Sequence, residues 1–324
     1  MSKFEIQGDS AFRSESLLGR HWEMTYGGTL SFLRRKYTRD IDGADIVVSG
    51  VPYDCATSFR PGARLGPQAI RAASVQLAEL PSFPFGFDPF DYVAVADYGD
   101  CYFDFGYPHH VVEKIEEHAN TIIGSGARML TFGGDHFVTY PLLRAHAHKH
   151  GPISLVHFDA HPDTWEDDGK RLDHGSMFAR AAEEGIVDPG RSVQVGIRTY
   201  NANRYGFTVL DAPWIHRHGA ARTVEEIRRV VGDHNAYLTF DIDCLDPSFA
   251  PGTGTPVAGG LSTATALEII RSLGDLEIIG MDVVEVAPAY DQSEITAIAA
   301  ATLAHDFICL QAIRKGAVPV AGTG

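Results

Sequence analysis

Apolar residues occur along this chain in two alternating patterns. Short runs rich in β-branched and aromatic residues predict strands, and between them lie longer segments with apolar residues at helical spacing. The predicted strands cover 46–49, 92–96, 128–132, 154–158, 192–197, 236–240 and 278–283. The predicted helices cover 67–77, 109–124, 140–148, 176–184, 224–231, 264–273 and 295–313. This alternation is typical of an α/β fold in which helices flank a mainly parallel sheet.

The periodic segments occupy most of the chain. A length of 324 residues allows one large domain or two smaller ones. No internal repeat, linker or low-complexity tract divides the pattern, so we predict a single domain over 1–324. Within it, residues 1–40 are predicted to form a polar N-terminal leader and residues 316–324 a frayed tail.

Composition limits the classes of partner. A formal charge of −15 argues against nucleic acid, because binding to phosphates depends on Lys and Arg, and it favours cations instead. The four cysteines, Cys55, Cys101, Cys244 and Cys309, have no CxxC spacing, which fits a reducing cytoplasm. The first residues lack the layout of a signal peptide, and no apolar run approaches the ~18 residues of a membrane span. We therefore expect a cytoplasmic protein without a membrane partner.

Candidate metal ligands follow three of the predicted strands, in the segments 133–136 (GGDH), 159–163 (DAHPD) and 241–247 (DIDCLDP). In open α/β sheets ligands bind beyond the carboxyl ends of the strands, so these segments are expected to converge. Alternate side chains of an extended segment share a face. Each motif alone also suits a turn or a helix cap. Their combination predicts a metal site built from His136, Asp159, His161, Asp163, Asp241 and Asp243.

The charge of these ligands predicts two metal ions. One divalent cation would leave two of the four carboxylates uncompensated in a partly desolvated site, whereas two cations balance them. Two ions also allow aspartates to bridge and water to be activated near neutral pH. Oxygen-rich ligands with two imidazoles and no thiolate favour Mn²⁺, although affinity alone leaves Zn²⁺, Co²⁺ and Ni²⁺ open.

These motifs resemble those of the ureohydrolase family, which includes arginase, agmatinase and guanidinobutyrase, over about residues 45–307. The resemblance implies an arginase-like three-layer α/β fold, two Mn²⁺ per subunit and a homo-oligomer, commonly a trimer or hexamer. It also implies a role for each ligand. His136 and Asp163 would bind the first ion, His161 and Asp243 the second, while Asp159 and Asp241 would bridge them and take part in catalysis.

Two further residues match the family's reaction, which is attack by water on a guanidinium carbon to release urea and an amine. Glu285 follows a predicted strand, and a carboxylate suits the planar geometry of a guanidinium. In the family this glutamate orients the substrate. His174 resembles the family histidine that passes protons to the leaving amine. We therefore predict that both residues bind substrate and act in catalysis.

The identity of the substrate rests on two segments. Residues 51–54 and 58–67 are similar to the agmatinase branch, and Trp165 and Asp54 are predicted substrate contacts. After the motif at 159–163, arginases carry an Asn and a polar loop that bind the α-amino and α-carboxylate groups of arginine, whereas the corresponding stretch of this chain is 164–168 (TWEDD), which argues against arginine. The acidic run 166–168 would repel a carboxylate and tolerate an amine. Agmatine, cleaved to putrescine and urea in polyamine biosynthesis, is therefore the predicted substrate. The alternatives are 4-guanidinobutyrate, another guanidino acid, formiminoglutamate, or a catalytically inert metal-binding protein.

Overall fold

The computed structural model describes residues 8–20, 23–78, 80–168 and 170–320. Residues 1–7 and 21–22 of the predicted leader and 321–324 of the predicted tail lie outside the described residues. The strands are β1 Lys36–Tyr37, β2 Ile46–Val51, β3 Val95–Asp100, β4 Arg128–Gly133, β5 Ser154–Phe158, β6 Val193–Ile197, β7 Thr208–Asp211, β8 Ala236–Asp241 and β9 Ile278–Val284. The α-helices are α1 Ser10–Arg13, α2 Gly66–Ser74, α3 Val111–Gly124, α4 Thr139–His150, α5 Met177–Glu183, α6 Ala212–Val231, α7 Thr263–Arg271 and α8 Ile295–Arg314.

Short 3₁₀ helices join several of these elements. They cover Phe32–Arg34, Ala63–Leu65, Val75–Leu77, Pro89–Asp91, Pro108–His110, His136–Val138, Pro189–Arg191, Ile242–Cys244 and Pro288–Tyr290. Two of them, His136–Val138 and Ile242–Cys244, directly follow strands and hold candidate metal ligands. Local turns of this kind let a side chain at a strand end point across the edge of the sheet.

All nine strands that the structure describes pair in parallel in one sheet, in the order β1-β3-β2-β4-β9-β8-β5-β6-β7. The first four strands fill one half, β5 to β7 fill the other, and β8 and β9 return to the middle. Such a reversal of strand order opens a crevice at the carboxyl ends of the central strands. The predicted mainly parallel sheet is confirmed.

The helices cover both faces of the sheet. Along β2, Ile46 and Val48 pack towards α2, α6, α7 and α8, whereas Val47 and Val51 pack towards α3, α4 and α5. This alternation is the two-residue period of a strand. Because both faces are covered, every residue of β2, β4 beyond Arg128, β5, β8 and β9 is buried. The result is the three-layer arrangement expected from the sequence.

The structure differs from the prediction at the edges. The predicted strand at 92–96 lies later, at Val95–Asp100, and the edge strands β1 and β7 were not predicted. Both are short and partly exposed, so they carry little apolar signal. The predicted helix at 224–231 is only the second half of α6, which changes direction at Gly219 (φ 80°), a conformation that glycine adopts readily.

The two chain ends that the structure describes pack against the domain. Phe32 is fully buried, its ring lies 4.8 Å from that of Phe132, and its N–H donates to Asp97 at 2.8 Å. In the predicted tail, Ala317 is buried and the Val320 N–H donates to the carbonyl of Phe85 at 2.9 Å. Residues 32–35 and Ala317 are therefore part of the packed structure, whereas the residues on either side of Ala317 are exposed.

Helix α8 is the most apolar long helix that the structure describes, although polar residues such as His305 and Asp306 interrupt its apolar run. By length and composition alone, Ile295–Arg314 is long and apolar enough to cross a membrane. In the structure 83% of its most apolar window is buried inside the protein. It packs against α2, α7 and β9, which is the position of a core helix.

Candidate metal centre and active site

The candidate site lies at the carboxyl ends of four neighbouring strands, β4, β9, β8 and β5. Their register aligns Phe132 with Val283, Val283 with Phe240, and Phe240 with Phe158. The rings of Phe158 and Phe240 also stack at 5.1 Å. The polar segments that follow these four residues therefore begin at the same level of the sheet, which brings them together.

Gly134 determines how the chain reaches the first ligand. A Cβ on Gly134 would lie 1.6 Å from the carbonyl oxygen of Tyr53, so no other residue fits there. The close approach lets the Asp135 N–H donate to that carbonyl at 2.7 Å, and the Gly134 carbonyl accepts from the Glu285 N–H at 2.8 Å. These backbone contacts direct His136 towards the crevice.

The first group of candidate ligands surrounds Nδ1 of His136. This atom lies 2.9 Å from Oδ2 of Asp159, 3.1 Å from Oδ2 of Asp163 and 3.2 Å from Oδ2 of Asp241. All four side chains are buried. Asp163 has a φ of 49°, so its backbone is in the left-handed region, which is uncommon outside glycine and frequent at functional sites.

The second group surrounds Nδ1 of His161. Oδ2 of Asp243 lies 3.1 Å away and Oδ1 of Asp159 lies 3.3 Å away. Asp159 therefore faces both groups, with one oxygen towards each imidazole, as a bridging carboxylate would. Asp241 joins the first group through Oδ2, while its Oδ1 accepts from the Asp243 N–H at 2.8 Å.

The donor set fits divalent cations. Nδ1 of His136 is buried and makes no hydrogen bond with the described residues, although three carboxylate oxygens surround it. Its Nε2 contacts Thr239 Oγ1 at 2.8 Å, and Thr239 donates to the buried Asp282 at 2.5 Å. A ring held by its other nitrogen in this way presents Nδ1 as a ligand. The oxygen-rich groups suit Mn²⁺ and similar ions.

Electrostatics also favours positive charge at this site. Burial and the neighbouring charges of Asp243 and Asp159 raise the pKa of Asp241 well above its ordinary value. Burial opposes a charge on His161, but Asp243 and Asp159 overcome it and raise the pKa to about 12. The raised pKa values show that the negative charge of the buried carboxylates is not balanced by nearby cations, so protons on the imidazoles are favoured. Two divalent ions would supply the missing charge.

His174 and Glu285 lie together beside the metal ligands. Nδ1 of His174 is 2.8 Å from Oε1 of Glu285, which also accepts from the His136 N–H at 2.9 Å. Nε2 of His174 lies 2.8 Å from the hydroxyl of Ser58 and accepts from the Ser58 N–H at 3.1 Å. Glu285 is buried, and its Oε2 has no hydrogen-bond partner among the described residues.

Two influences act on the proton of His174 in opposite directions. Burial lowers its pKa, but the hydrogen bond and charge of Glu285 outweigh this and raise the pKa to about 9. A ring that accepts from the Ser58 N–H at Nε2 is neutral, whereas a ring beside Glu285 is favoured in its protonated form. Such a residue is suited to both taking up and releasing a proton near neutral pH.

A cavity of about 250 Å³ opens onto both groups of ligands. Trp165 lies in its wall and is 38% exposed, as expected of a residue that contacts substrate at the mouth. The described lining residues include one acid outside the ligand set, Asp173, and neither Lys nor Arg. The polar wall is formed by Ser58, His161, Asp163, Asp173, His174, Asp241 and Thr255.

Asp54 makes contacts within its own loop, and its predicted contact with substrate stays a prediction. Its Oδ2 accepts from the Gly62 N–H at 2.8 Å, its Oδ1 accepts from Arg64 at 2.5 Å, and it is not among the described residues that line the cavity. The sequence analysis chose it because it stands in a segment similar to agmatinases. Its contacts instead hold the loop that carries Ser58.

The acidic run 166–168 also differs from the expectation. Glu166 accepts from Asn203 at 3.1 Å, Asp167 contacts Ser176 and Arg180, and Asp168 caps the turn at 170. None of the three is among the described residues that line the cavity. The acid on the cavity wall outside the ligand set is Asp173, which was not predicted because a single aspartate two residues before a glycine is typical of a turn.

Further residues at the site were also missed. Ser58 contacts His174, Thr255 contacts Asp243 Oδ2 at 3.3 Å, and His157 lies 2.8 Å from Asp159. Asp135 is buried next to Glu285, and burial together with that charge raises its pKa well above the ordinary value. Only His157 had a readable signal, because an imidazole two residues before a ligand on a strand shares its face.

Comparison with known proteins identifies the family. The arginase family model matches residues 44–309, which is most of the chain. The chain belongs to the arginase family. The arginase-like α/β fold and the ureohydrolase resemblance predicted from the motifs are therefore confirmed, and the buried His and Asp cluster supports a binuclear metal site in this member.

Similar family members are consistent with the agmatinase-like branch. The chain is 62% identical to an agmatinase from Chromobacterium violaceum over 100% of both chains. Its structure is similar to the crystal structure of a hypothetical agmatinase from Burkholderia thailandensis, with a TM-score of 0.94 over 95% of this chain and 98% of that one. The two sequences are 64% identical. A formiminoglutamase variant from Trypanosoma cruzi, solved with Mn²⁺, is 25% identical, with a TM-score of 0.77 over 85% of this chain and 95% of that one. The prediction of an agmatinase-like amidinohydrolase is thus confirmed.

Proposed function

We propose that this chain is a binuclear manganese enzyme that hydrolyses agmatine to putrescine and urea. The observation that carries the proposal is the buried Oε2 of Glu285, which has no hydrogen-bond partner among the described residues. Glu285 lies beside two groups of His and Asp ligands, and its Oε1 contacts His174, a residue of the cavity wall. A guanidinium has the donors that this oxygen lacks. The family membership and the two agmatinase relatives support the same reaction.

We assign the metal ligands by their grouping. His136 and Asp163 would hold one ion, His161 and Asp243 the other, and Asp159 would bridge them, since its two oxygens face the two imidazoles. Asp241 would bridge as well. When bound, two Mn²⁺ supply positive charge and a water that is nucleophilic near neutral pH. The Mn²⁺-containing relative supports the identity of the metal.

The protein's own residues position the substrate and move protons. Glu285 accepts from the guanidinium at Oε2 and holds its plane against the attacking water. His174 lies within 2.8 Å of Glu285, and its raised pKa of about 9 keeps a proton available at neutral pH. That proton passes to the amine as it leaves. Ser58, 2.8 Å from Nε2, is placed to guide this transfer.

The cavity wall favours an amine at the far end of the substrate. Asp173 is the acid outside the ligand set, its described partners are Arg171 and the Gly175 N–H, and the described lining residues include no cation that would attract a carboxylate. An ammonium group is therefore preferred over the carboxylate of 4-guanidinobutyrate. Trp165 would contact the alkyl chain between the two ends.

Several broader predictions rest on the family resemblance. We propose a single domain, which the one continuous sheet supports, and a homo-oligomer, either a trimer or a hexamer, in the cytoplasm. A role in polyamine biosynthesis follows from putrescine as the product. The proposed partner is a small guanidine compound, not nucleic acid or a membrane.

Urea release after manganese loading tests the proposal. Steady-state kinetics with agmatine, 4-guanidinobutyrate, arginine and formiminoglutamate should give the highest kcat/KM for agmatine. A preference for 4-guanidinobutyrate would identify a guanidinobutyrase. Formamide released from formiminoglutamate, with no urea from any guanidine, would identify the reaction named for the Trypanosoma cruzi relative. Inactivity towards all four compounds would support an inert metal-binding protein.

A further inference from the structure

We propose that His157, oriented by Gln194, positions Asp159 as the bridging metal ligand. The inference rests on the proposed binuclear centre and adds to it a residue that no motif marks. His157 lies on β5, two residues before Asp159, and its side chain is fully buried. Its Nε2 lies 2.8 Å from Oδ2 of Asp159. Burying an imidazole is costly unless its polar atoms are paired, and this contact pairs one of the two ring nitrogens.

Gln194 determines which nitrogen of His157 carries the proton. It lies opposite His157 on the neighbouring strand β6. Its Nε2 is 2.6 Å from the carbonyl oxygen of Pro162 and 3.2 Å from Nδ1 of His157. A carbonyl oxygen only accepts, so the amide must turn its NH₂ group towards Pro162. That same NH₂ group then donates to Nδ1 of His157, and the ring proton remains on Nε2, facing Asp159.

The consequence for Asp159 is that a fixed donor holds each of its oxygens. Oδ2 accepts from Nε2 of His157, and Oδ1 accepts from the His161 N–H at 2.6 Å. Each oxygen also faces a ligand imidazole. Oδ2 lies 2.9 Å from Nδ1 of His136, and Oδ1 lies 3.3 Å from Nδ1 of His161. A carboxylate held in this way has one lone-pair direction left on each oxygen, which is what a ligand between two cations requires.

His157 itself is a positioning residue and not a ligand. It lies close enough to His136, Asp159 and Asp163 to be grouped with them as a possible metal site. Both of its nitrogens are nevertheless in use, Nε2 by Asp159 and Nδ1 by Gln194. The ring is also held from the side by Phe178, whose centroid is 4.5 Å away. Partners of this kind typically contribute 10–100-fold to metal affinity.

Metal binding to the full-length chain tests this role. We expect His157→Leu, which removes the donor, to weaken Mn²⁺ binding by roughly 10–100-fold, measured by equilibrium dialysis with quantified metal. His157→Gln keeps an N–H donor of similar reach and should retain most of the affinity. Gln194→Met, which frees the ring to turn, should weaken binding in the same direction while leaving His157 in place. This variant keeps the test available should His157→Leu fail to fold.

His146 offers a matched control for the effect of losing a buried imidazole. It is 1% exposed, contacts the carbonyl oxygen of Leu142 at 2.8 Å, and packs against Tyr237 without touching the ligand carboxylates. His146→Leu should lower the melting temperature of the metal-free chain without changing Mn²⁺ affinity. Electron paramagnetic resonance gives a second readout, since loss of one ion removes the coupling between two Mn²⁺.

The outcomes separate this inference from the proposed function. A wild-type chain that binds two Mn²⁺, together with a His157→Leu variant that has the same dissociation constants, would overturn the positioning role and leave the proposed function standing. Equal weakening by His157→Leu and His157→Gln would overturn it as well. A wild-type chain that takes up no Mn²⁺ would overturn the proposed metal centre, and the positioning role with it.

Discussion

Replacing Glu285 with glutamine tests the substrate-handling pair directly. The two side chains have nearly the same shape, but glutamine removes the charge that faces both the guanidinium and His174. Oε1 of Glu285 receives His174 and the His136 N–H, which leaves Oε2 for the substrate. Hydrogen bonds to charged groups contribute about 1.5–3 kcal/mol each. Losing one such contact should lower kcat/KM by roughly 10–150-fold, because each ~1.4 kcal/mol corresponds to tenfold.

The same substitution should change the pH dependence in a defined direction. Glu285 raises the pKa of His174 to about 9, so the protonated form that delivers the leaving-group proton is present at neutral pH and is lost as pH rises through that value. Without the charge of Glu285, only the smaller influences of Asp163 and Asp135 still oppose the effect of burial, so the pKa of His174 falls. The alkaline decline in kcat should therefore begin at lower pH in Glu285→Gln than in the wild type.

The assay is urea release from agmatine across a pH series, after Mn²⁺ loading, for the wild type and Glu285→Gln. Metal content and thermal unfolding of both proteins serve as controls, since Glu285 also accepts from the backbone of His136. The reasoning is refuted if the variant, with normal metal content, keeps the wild-type kcat/KM. An unchanged alkaline limb would refute the part of the argument that concerns His174.

Three other predictions follow from the site. Gly134→Ala would bring a Cβ within 1.6 Å of the Tyr53 carbonyl oxygen, so it should destabilise the chain by more than ~2 kcal/mol in urea unfolding; an unchanged midpoint would contradict this. Asp173→Asn should raise KM for agmatine roughly tenfold with little change in kcat, whereas a guanidine with an uncharged tail should be unaffected; equal effects on both would argue against a charge contact. Chelation of the metal should lower stability by about 2.7 kcal/mol for each bound Mn²⁺ when Mn²⁺ had been at 100-fold its dissociation constant, measured by thermal unfolding with and without EDTA.

The sequence allowed the central strands and the ligand motifs to be predicted because their signals are local. Buried parallel strands are continuous apolar runs, as in β8, and the ligands follow them directly. Edge strands such as Lys36–Tyr37 lack that signal, since one side of them is not covered by another strand. Phe32 was assigned to a polar leader because residues 1–40 as a whole are rich in polar residues, although its side chain is buried against Phe132.

Contacts between distant segments could not be predicted from spacing. The link from Ser58 to His174 spans 116 residues, and that from His174 to Glu285 spans 111. The acidic run 166–168 was interpreted as facing the substrate because sequence does not reveal partners such as Asn203 and Arg180. The spacing of His157 from Asp159 is visible in the sequence, but its contact with Gln194 is not, because only the register of β5 and β6 brings these two residues together.

The most direct test of the account is the amount of urea that the Mn²⁺-loaded wild-type chain releases from agmatine, compared with an Asp159→Asn variant. Asp159 faces both imidazoles of the candidate centre, so loss of its charge should remove most of the activity. We predict urea and putrescine in equal amounts from the wild type and only residual turnover from the variant. Release of no urea by the loaded wild type, or full turnover by Asp159→Asn, would contradict it.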